Sequence, residues 1–222
     1  MSLLQRFTRG AVALLALSLG LVSTEARAAS VSYQATYALS PYLNGGTLAL
    51  PAATLPKFDL VGQCLQSVCV RVDGGTNGLV GFENSQPTPV MVNVSYVGKL
   101  TVQRPDLSTL VDIQPATSIT DSLTSYDGAV DYAGTSGRFY ANVGATDSDS
   151  LCFSGAADLA LFSGAGTIAL PAVGQDLSSL TGANSRTIGT RVYATVTVTY
   201  VYRDCTVPAE RQTWGRIKSN YR

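Results

Sequence analysis

Two stretches of the chain alternate apolar and polar residues strictly enough to predict long β-strands. From Val90 to Val102, the even-numbered positions hold valine, tyrosine, glycine and leucine, and most odd-numbered positions are polar. From Arg191 to Arg203, the even-numbered positions hold valine, alanine and tyrosine, opposite a run of threonines. A period of two buries one face of a strand and exposes the other. The first stretch is long for a single strand, so we expect a bend at Gly98.

Shorter apolar runs, separated by turn-rich segments, predict further strands. These are Ser32–Leu39, Thr47–Leu50, Leu65–Asp73, Leu79–Glu83, Arg138–Val143 and Gly166–Leu170. Turns are predicted at 73–78 and 174–184, and Asp158–Phe162 fits one helical turn. Many short strands with glycine-rich turns predict an all-β fold. We expect a single antiparallel β-sandwich, jelly-roll or Ig-like, because irregular strand lengths and loops favour a sandwich over a barrel.

One segment of the chain is nearly repeated. Residues 46–52 and 166–172 differ only at Leu48 and Ile168. Each copy predicts a strand that proline ends, because proline cannot donate a ladder hydrogen bond. The spacing far exceeds solenoid periods, so pseudo-symmetric strands or coincidence explain the echo better than a repeat architecture.

The N-terminus has the pattern of a bacterial-type signal peptide. Arg6 and Arg9 precede an apolar run from Ala11 to Val22, and the small-x-small sequence ending at Ala28 fits a cleavage site. The run has about twelve residues where a membrane span needs roughly twenty, so an uncleaved anchor is the weaker interpretation. We therefore predict a leader at 1–28, a β-domain at 29–203 and a basic tail at 204–222. No transmembrane anchor is expected after cleavage.

Charge and composition narrow the function classes. Charged residues make up 14% of the chain, and glycine occurs 21 times. Without its leader the chain has a formal charge of −2, from 12 basic and 14 acidic residues. This balance gives no electrostatic case for nucleic acid as a partner. Four basic tail residues could attract anionic surface polymer, although a solvated tail is the more ordinary interpretation; they are Arg211, Arg216, Lys218 and Arg222.

The four cysteines all follow the predicted leader, and an even count in an exported chain predicts two disulfides. Zinc is the weaker alternative, because the chain has no histidine and no Cys-x-x-Cys pair. Cys64 and Cys69 would lie about 16 Å apart in an extended strand, too far for a bond. We predict Cys69–Cys205 with Cys64–Cys152. The competing pairing is Cys64–Cys69 with Cys152–Cys205.

Two blocks of sequence resemble a known bacterial family. The first is Leu55-Pro-Lys-Phe-Asp59 followed by Gly62, Leu65 and the alternating valines to Val72. The second is Phe162 to Pro171, followed by a closing strand ending at Tyr202. The chain is similar over roughly Tyr33–Tyr202 to choice-of-anchor E domains, which implies an exported domain and supplies no catalytic residues. Family members often end in a Pro-Glu-Pro motif, an apolar helix and a basic cluster. This chain lacks that pattern, so we do not expect such an anchor.

Candidate catalytic chemistry is sparse. Without histidine, the common serine and cysteine triads lose their usual base. The nearest carboxylate pairs for glycosidase chemistry are Asp127 with Asp131 and Asp147 with Asp149. All four lie in Gly/Ser/Thr-rich stretches where aspartate caps turns, so we predict no catalytic residue. Asp147 and Asp149 also fit part of a calcium site, without the glycine and distal glutamate of an EF-hand. We expect no cofactor, with calcium as the alternative.

Tyrosines offer the other candidate site. Most fall on the apolar side of strands, but Tyr193 falls on the polar side, and Tyr42, Tyr126 and Tyr132 fall near loops. These four are the candidates for binding carbohydrate.

Three functions remain open. The leading one is a non-catalytic extracellular or cell-surface domain, structural or adhesive, for example in a biofilm matrix. Its partners would be polysaccharide or surface proteins. The alternative is a carbohydrate- or calcium-binding module, and the third is an exported hydrolase. The expected location is secreted or at the cell surface, with the periplasm as an alternative.

Overall fold

The computed structural model describes residues 28–205, which form ten strands and one short helix. The strands are β1 (Ala29–Tyr37), β2 (Thr47–Pro56), β3 (Gln63–Glu83), β4 (Val90–Gln103), β5 (Thr109–Ile113), β6 (Ala116–Leu123), β7 (Gly137–Phe153), β8 (Thr167–Asp176), β9 (Ser179–Thr181) and β10 (Ser185–Asp204), with α1 (Ala156–Phe162) between β7 and β8. Residues 1–27 of the predicted leader and the tail residues after Cys205 lie outside the described residues, so the predicted cleavage after Ala28 stays a prediction. The helical turn predicted at Asp158–Phe162 is confirmed.

Two antiparallel sheets pack face to face, which confirms the predicted all-β sandwich. Sheet A has the order β1-β10-β3-β7, and sheet B has the order β2-β8-β4-β5, with β6 and β9 paired to the first half of β4. The inward valines of β3 and β10, such as Val70 and Val196, are fully buried. They share a core with Leu100 and Leu170 of sheet B. The alternation seen in the sequence therefore identifies the buried face of each strand.

Gly98 marks a change of neighbours along β4. Residues before it pair with β6 and β9, residues 98–102 pair with β8, and residues 100–103 also pair with β5. A methyl group at this position would clash with Thr76 and lie 2.9 Å from Val192 Cγ1 in sheet A. The glycine at the expected bend thus gives room for sheet A to pack closely.

The turn predicted at 73–78 is wrong. β3 runs without a break from Gln63 to Glu83 and pairs with β10 along its length. Its glycines have no positive φ, so they are not turn residues. They leave space for neighbours: a methyl group on Gly75 would lie 2.8 Å from Tyr193 Oη, and one on Gly78 would clash with Tyr96 Oη. The predicted turn at 174–184 is also partly wrong, because β8 continues to Asp176 and β9 lies within it.

Neither proline of the repeated segment ends its strand, which corrects the prediction. The two copies are neighbours, since β2 and β8 pair antiparallel. The register shifts between Leu50 and Ala53, so Pro51 lies at a β-bulge on an edge strand. The pairing of β8 with β4 covers residues 172–176 and does not include Pro171. Both prolines therefore lie where no ladder hydrogen bond is lost, as proline in a sheet requires.

Two disulfides are present, with a connectivity that corrects both predicted pairings. They join Cys64 to Cys205 and Cys69 to Cys152. On β10, the residue opposite Cys69 is Thr199, six positions before Cys205, which is about 20 Å along the strand. On its other side, Cys69 faces Cys152 directly, with the two Cα atoms 4.0 Å apart. Each cysteine does pair with a distant one, as the extended-strand argument required.

Candidate functional site

Tyr193 lies on the outer face of sheet A, as its place on the polar side of β10 predicts. Its cross-strand partner is Gly75, and the ring occupies the space that a side chain there would fill. The side chain remains 37% exposed. A depression of about 570 Å³ opens beside the ring. Its lining consists of Asp73, Gly74, Thr146, Asp147, Ser148 and Tyr193.

Tyr42 lies on the same face, two rows further along β10. The segment before it is held beside β10, where the N–H of Ser40 donates to Val192 O at 2.9 Å. Its ring packs over Gly189, where a methyl group would lie 2.7 Å from the ring. The guanidinium carbon of Arg191 lies 4.8 Å from the ring centre, a cation–π distance. Arg191 therefore separates the rings of Tyr42 and Tyr193.

The next glycine row carries two more rings. Gly81 pairs with Thr187 of β10 and with Phe139 of β7. A methyl group on Gly81 would lie 3.1 Å from the ring of Phe139 and 3.3 Å from that of Tyr132. Phe139 is 52% exposed. Tyr42, Tyr132, Phe139 and Tyr193 form what we call the outer aromatic stripe.

Charged and polar groups border the stripe. Arg71 donates from Nε to Asp73 Oδ2 at 2.7 Å, and the pair lies on the outer face one row beyond Tyr193. The hydrogen bond from Arg71 lowers the pKa of the Asp73 carboxyl below its usual value. Arg191 donates to the Oδ1 atom of Asn77 at 2.6 Å. The face therefore presents exposed rings beside a fixed carboxylate, hydroxyls and a guanidinium.

Asp147 and Asp149 lie within strand β7, and not in a solvated loop as the sequence suggested. The carboxylate of Asp147 accepts a hydrogen bond from the N–H of Gln114 at 2.8 Å, which ties the edge of sheet A to the segment between β5 and β6. Within residues 28–205, no cluster of three or more His, Cys, Asp or Glu side chains is suited to a metal. Asp147 thus has a structural role at the edge of sheet A.

Asp127 and Asp131 lie together in the loop 124–136 between β6 and β7. Each accepts a hydrogen bond from the N–H two residues later, Ala129 at 3.2 Å and Ala133 at 2.9 Å. The bond from Ala129 lowers the pKa of the Asp127 carboxyl. These local turns are the role that aspartate commonly has in such loops.

The structure brings three of the four candidate tyrosines onto one sheet face. Tyr126 is the exception: it is 38% exposed, its N–H donates to Gln86 O at 2.8 Å, and it is not among the rings seated on these glycines. Sequence reasoning missed Phe139 and Arg191. Alternation along the strand could have indicated Arg191, because Arg191 and Tyr193 lie two residues apart on the outward side of β10.

Comparison with known proteins gives no family. No family model matches the chain, and no curated protein matches it significantly. The matching solved structures include the infectious bursal disease virus Gt strain, at 15% identity and a TM-score of 0.25, covering 88% of this chain and 42% of that chain. They also include the VP2 subviral particle of that virus, at 14% identity and a TM-score of 0.25, with 87% and 42% coverage.

This chain spans less than half the length of those viral chains. Likenesses at these identities and TM-scores carry no weight for fold or function. The resemblance to choice-of-anchor E domains stays a prediction. None of the helices within residues 28–205 is long and apolar enough to span a membrane.

Proposed function

We propose that this protein is a non-catalytic exported domain that binds polysaccharide through the outer aromatic stripe. The observation that carries the proposal is the seating of four partly exposed rings on the glycine rows of one sheet face. Aromatic rings bury large area at low entropic cost and leave a polar tip for hydrogen bonding. Sugar rings suit such a surface, because their C–H faces stack on the rings while their hydroxyls reach polar neighbours.

The size of the stripe suits a chain of sugars. From the row of Tyr193 to the row of Gly81 and Thr187 is six residues along β10, about 20 Å at roughly 3.3 Å per residue. The depression beside Tyr193 supplies the Asp73 carboxylate and the hydroxyls of Thr146 and Ser148. A polysaccharide would thus stack along the stripe with one end in the depression.

The rest of the structure is consistent with an exported, non-catalytic role. Two disulfides fit an oxidising compartment. The candidate carboxylates Asp127, Asp131 and Asp147 already accept backbone hydrogen bonds. A polysaccharide-binding domain outside the cell would serve adhesion or matrix structure.

Glycan-array binding of the mature chain tests the proposal. We expect at least one class of polysaccharide fragment to bind in calcium-free buffer. Replacing Tyr193 or Tyr42 with Ala should weaken that binding about tenfold or more, as for an aromatic residue that anchors an interface.

Tyr126→Ala is the matched control, because Tyr126 is about as exposed as Tyr193 but lies off the outer aromatic stripe. The glycan affinity of this variant should stay at the wild-type value. Tyr193→Phe should keep most of the affinity if stacking dominates. Unchanged binding by both Tyr193→Ala and Tyr42→Ala would refute the assignment of the stripe.

A further inference from the structure

Glu83, the last residue of β3, has a buried carboxylate that is only half satisfied. The side chain is fully buried. Its Oε1 atom accepts a hydrogen bond from Ser136 Oγ at 2.5 Å. Its Oε2 atom is buried and receives no hydrogen bond from any described residue.

The neighbouring residue, Asn84, is also buried, but its side chain makes hydrogen bonds through both its nitrogen and its oxygen. Its amide donates to Thr88 O at 2.8 Å and to Thr124 O at 2.7 Å, while its Oδ1 accepts from Gln86 N. Buried polar atoms are almost always paired, and an unpaired buried carboxylate oxygen strongly opposes folding. Glu83 Oε2 therefore needs a positively charged partner or a proton.

The nearby cationic side chain is already engaged. Arg138, two residues from Ser136, donates from NH1 to Gly134 O at 2.8 Å and to Gly137 O at 2.6 Å. Its Nε atom lies 3.2 Å from Asp121 Oδ2. Its charge is thus directed to backbone carbonyls and to Asp121.

Other oxygen atoms converge beside Glu83. A methyl group on Gly137 would clash with Glu83 Oε2 and lie 2.6 Å from the backbone nitrogen and 2.7 Å from the backbone oxygen of Ala133, so both oxygens border one position. The Ala133 N–H itself donates to Asp131 Oδ1. Ser136 Oγ already touches the carboxylate and accepts from the N–H of Asp127 at 3.4 Å. The loop thus brings a carbonyl and a hydroxyl to the orphaned carboxylate, and the exposed carboxylate of Asp127 lies beside Ser136.

We infer that Glu83 anchors a calcium ion beneath the loop 124–136, with the Ala133 carbonyl and Ser136 Oγ as further oxygen ligands and Asp127 beside them. Carboxylate, carbonyl and hydroxyl oxygens are the ligands that calcium takes, with water completing the shell. The ion would neutralise Glu83 and hold the loop on sheet A. Because Tyr132 precedes Ala133, the ion would also fix one ring of the outer aromatic stripe.

Thermal unfolding of the mature chain with and without calcium tests the site. At calcium concentrations near 100 times the dissociation constant, the midpoint should rise by roughly 5–10 °C, and magnesium should have a smaller effect. Glu83→Gln should abolish the rise. Asp149→Asn is the control, because it removes a carboxylate of strand β7 that lies outside the proposed site. Calcium should raise the unfolding midpoint of this variant as much as that of the wild type.

If Glu83→Gln does not fold, Asp127→Asn replaces it and should lower calcium affinity about tenfold. A wild-type midpoint that calcium does not move would overturn the proposal, as would a rise that survives in Glu83→Gln. Stabilisation by Glu83→Gln without any calcium response would also overturn it, because a neutral side chain would then suffice at this position. Glycan binding in calcium-free buffer is measured separately, so failure of either proposal is distinguishable.

Discussion

At the scale of single residues, the glycines of β3 decide where aromatic rings lie. Gly75 and Gly81 leave the outer face open to Tyr193, Tyr132 and Phe139. The sequence alone could identify Tyr193 as outward-facing, because alternation fixes parity within a strand. It could not show that these glycines seat rings, because a Gly-Gly pair is also a strong turn signal and the deciding contacts come from distant strands.

Two buried tyrosines, Tyr37 and Tyr200, make the stability of the fold depend on pH in the alkaline range. The hydroxyl of Tyr200 donates to Pro56 O at 2.7 Å, and burial raises its pKa to about 12. Burial also raises the pKa of Tyr37, whose hydroxyl donates to Leu170 O at 2.9 Å. Both native phenols are therefore held in the neutral form.

We predict that the free energy of unfolding falls as pH rises from about 10, the pKa of tyrosine in the unfolded chain, towards 12. Below pH 10 both states are protonated, so this contribution is fully present; above it the unfolded state loses protons first. The slope is at most about 1.4 kcal/mol per pH unit for each group. Urea unfolding across this range measures it. Tyr200→Phe should flatten the profile, Tyr193→Phe should not, and a flat wild-type profile would contradict the account.

At the scale of elements, the sequence identified strands and their buried faces but not their register. Alternation placed β4 and β10 correctly, since it is a local property. The disulfide prediction also used parity, but it ignored which residues face each other between strands. A β-bulge beside Val201 and Tyr202 shifts the register near Cys64, and no local pattern encodes it. β5 and β6 were missed because they carry no clear apolar alternation over a long run.

The two disulfides should have separable effects on stability. Cys64–Cys205 clamps the start of β3 to the end of β10, and Cys69–Cys152 clamps the edge strand β7 to β3. With separations of 141 and 83 residues, each should contribute on the order of 4–5 kcal/mol on the chain-entropy account. We expect urea unfolding of Cys64→Ser/Cys205→Ser and of Cys69→Ser/Cys152→Ser to show losses of roughly 2–5 kcal/mol.

Hydrogen exchange of backbone amides should distinguish the two double variants, because each disulfide holds a different strand. Loss of Cys69–Cys152 should deprotect amides of residues 144–153, because β7 has a neighbour on one side only, whereas the other double variant should leave them protected. Equal protection of β7 in both variants would contradict the role given to this clamp. Non-reducing peptide mapping of the wild-type chain should first recover these two pairs.

At the scale of the whole molecule, the two sheets enclose two core clusters, and the outer face of sheet A carries the outer aromatic stripe. One cluster lies around Tyr200, and the second surrounds Phe82 and Tyr96. The fold class followed from composition and period, because both are properties of the whole chain. The sequence named three residues of the outer aromatic stripe as candidates, but it could not show that they share one face with Phe139, because long-range pairing brings residues 42, 132, 139 and 193 together.

The outer aromatic stripe is the surface proposed to bind polysaccharide. The most direct test is an NMR amide-shift map of the mature domain titrated with the strongest oligosaccharide from the glycan array, in calcium-free buffer. We expect small shifts on sheet B and large shifts at five residues of sheet A: Gly74, Gly75, Asn77, Arg191 and Tyr193. Shifts centred on sheet B or on β1, with none around Gly75 and Tyr193, would contradict it.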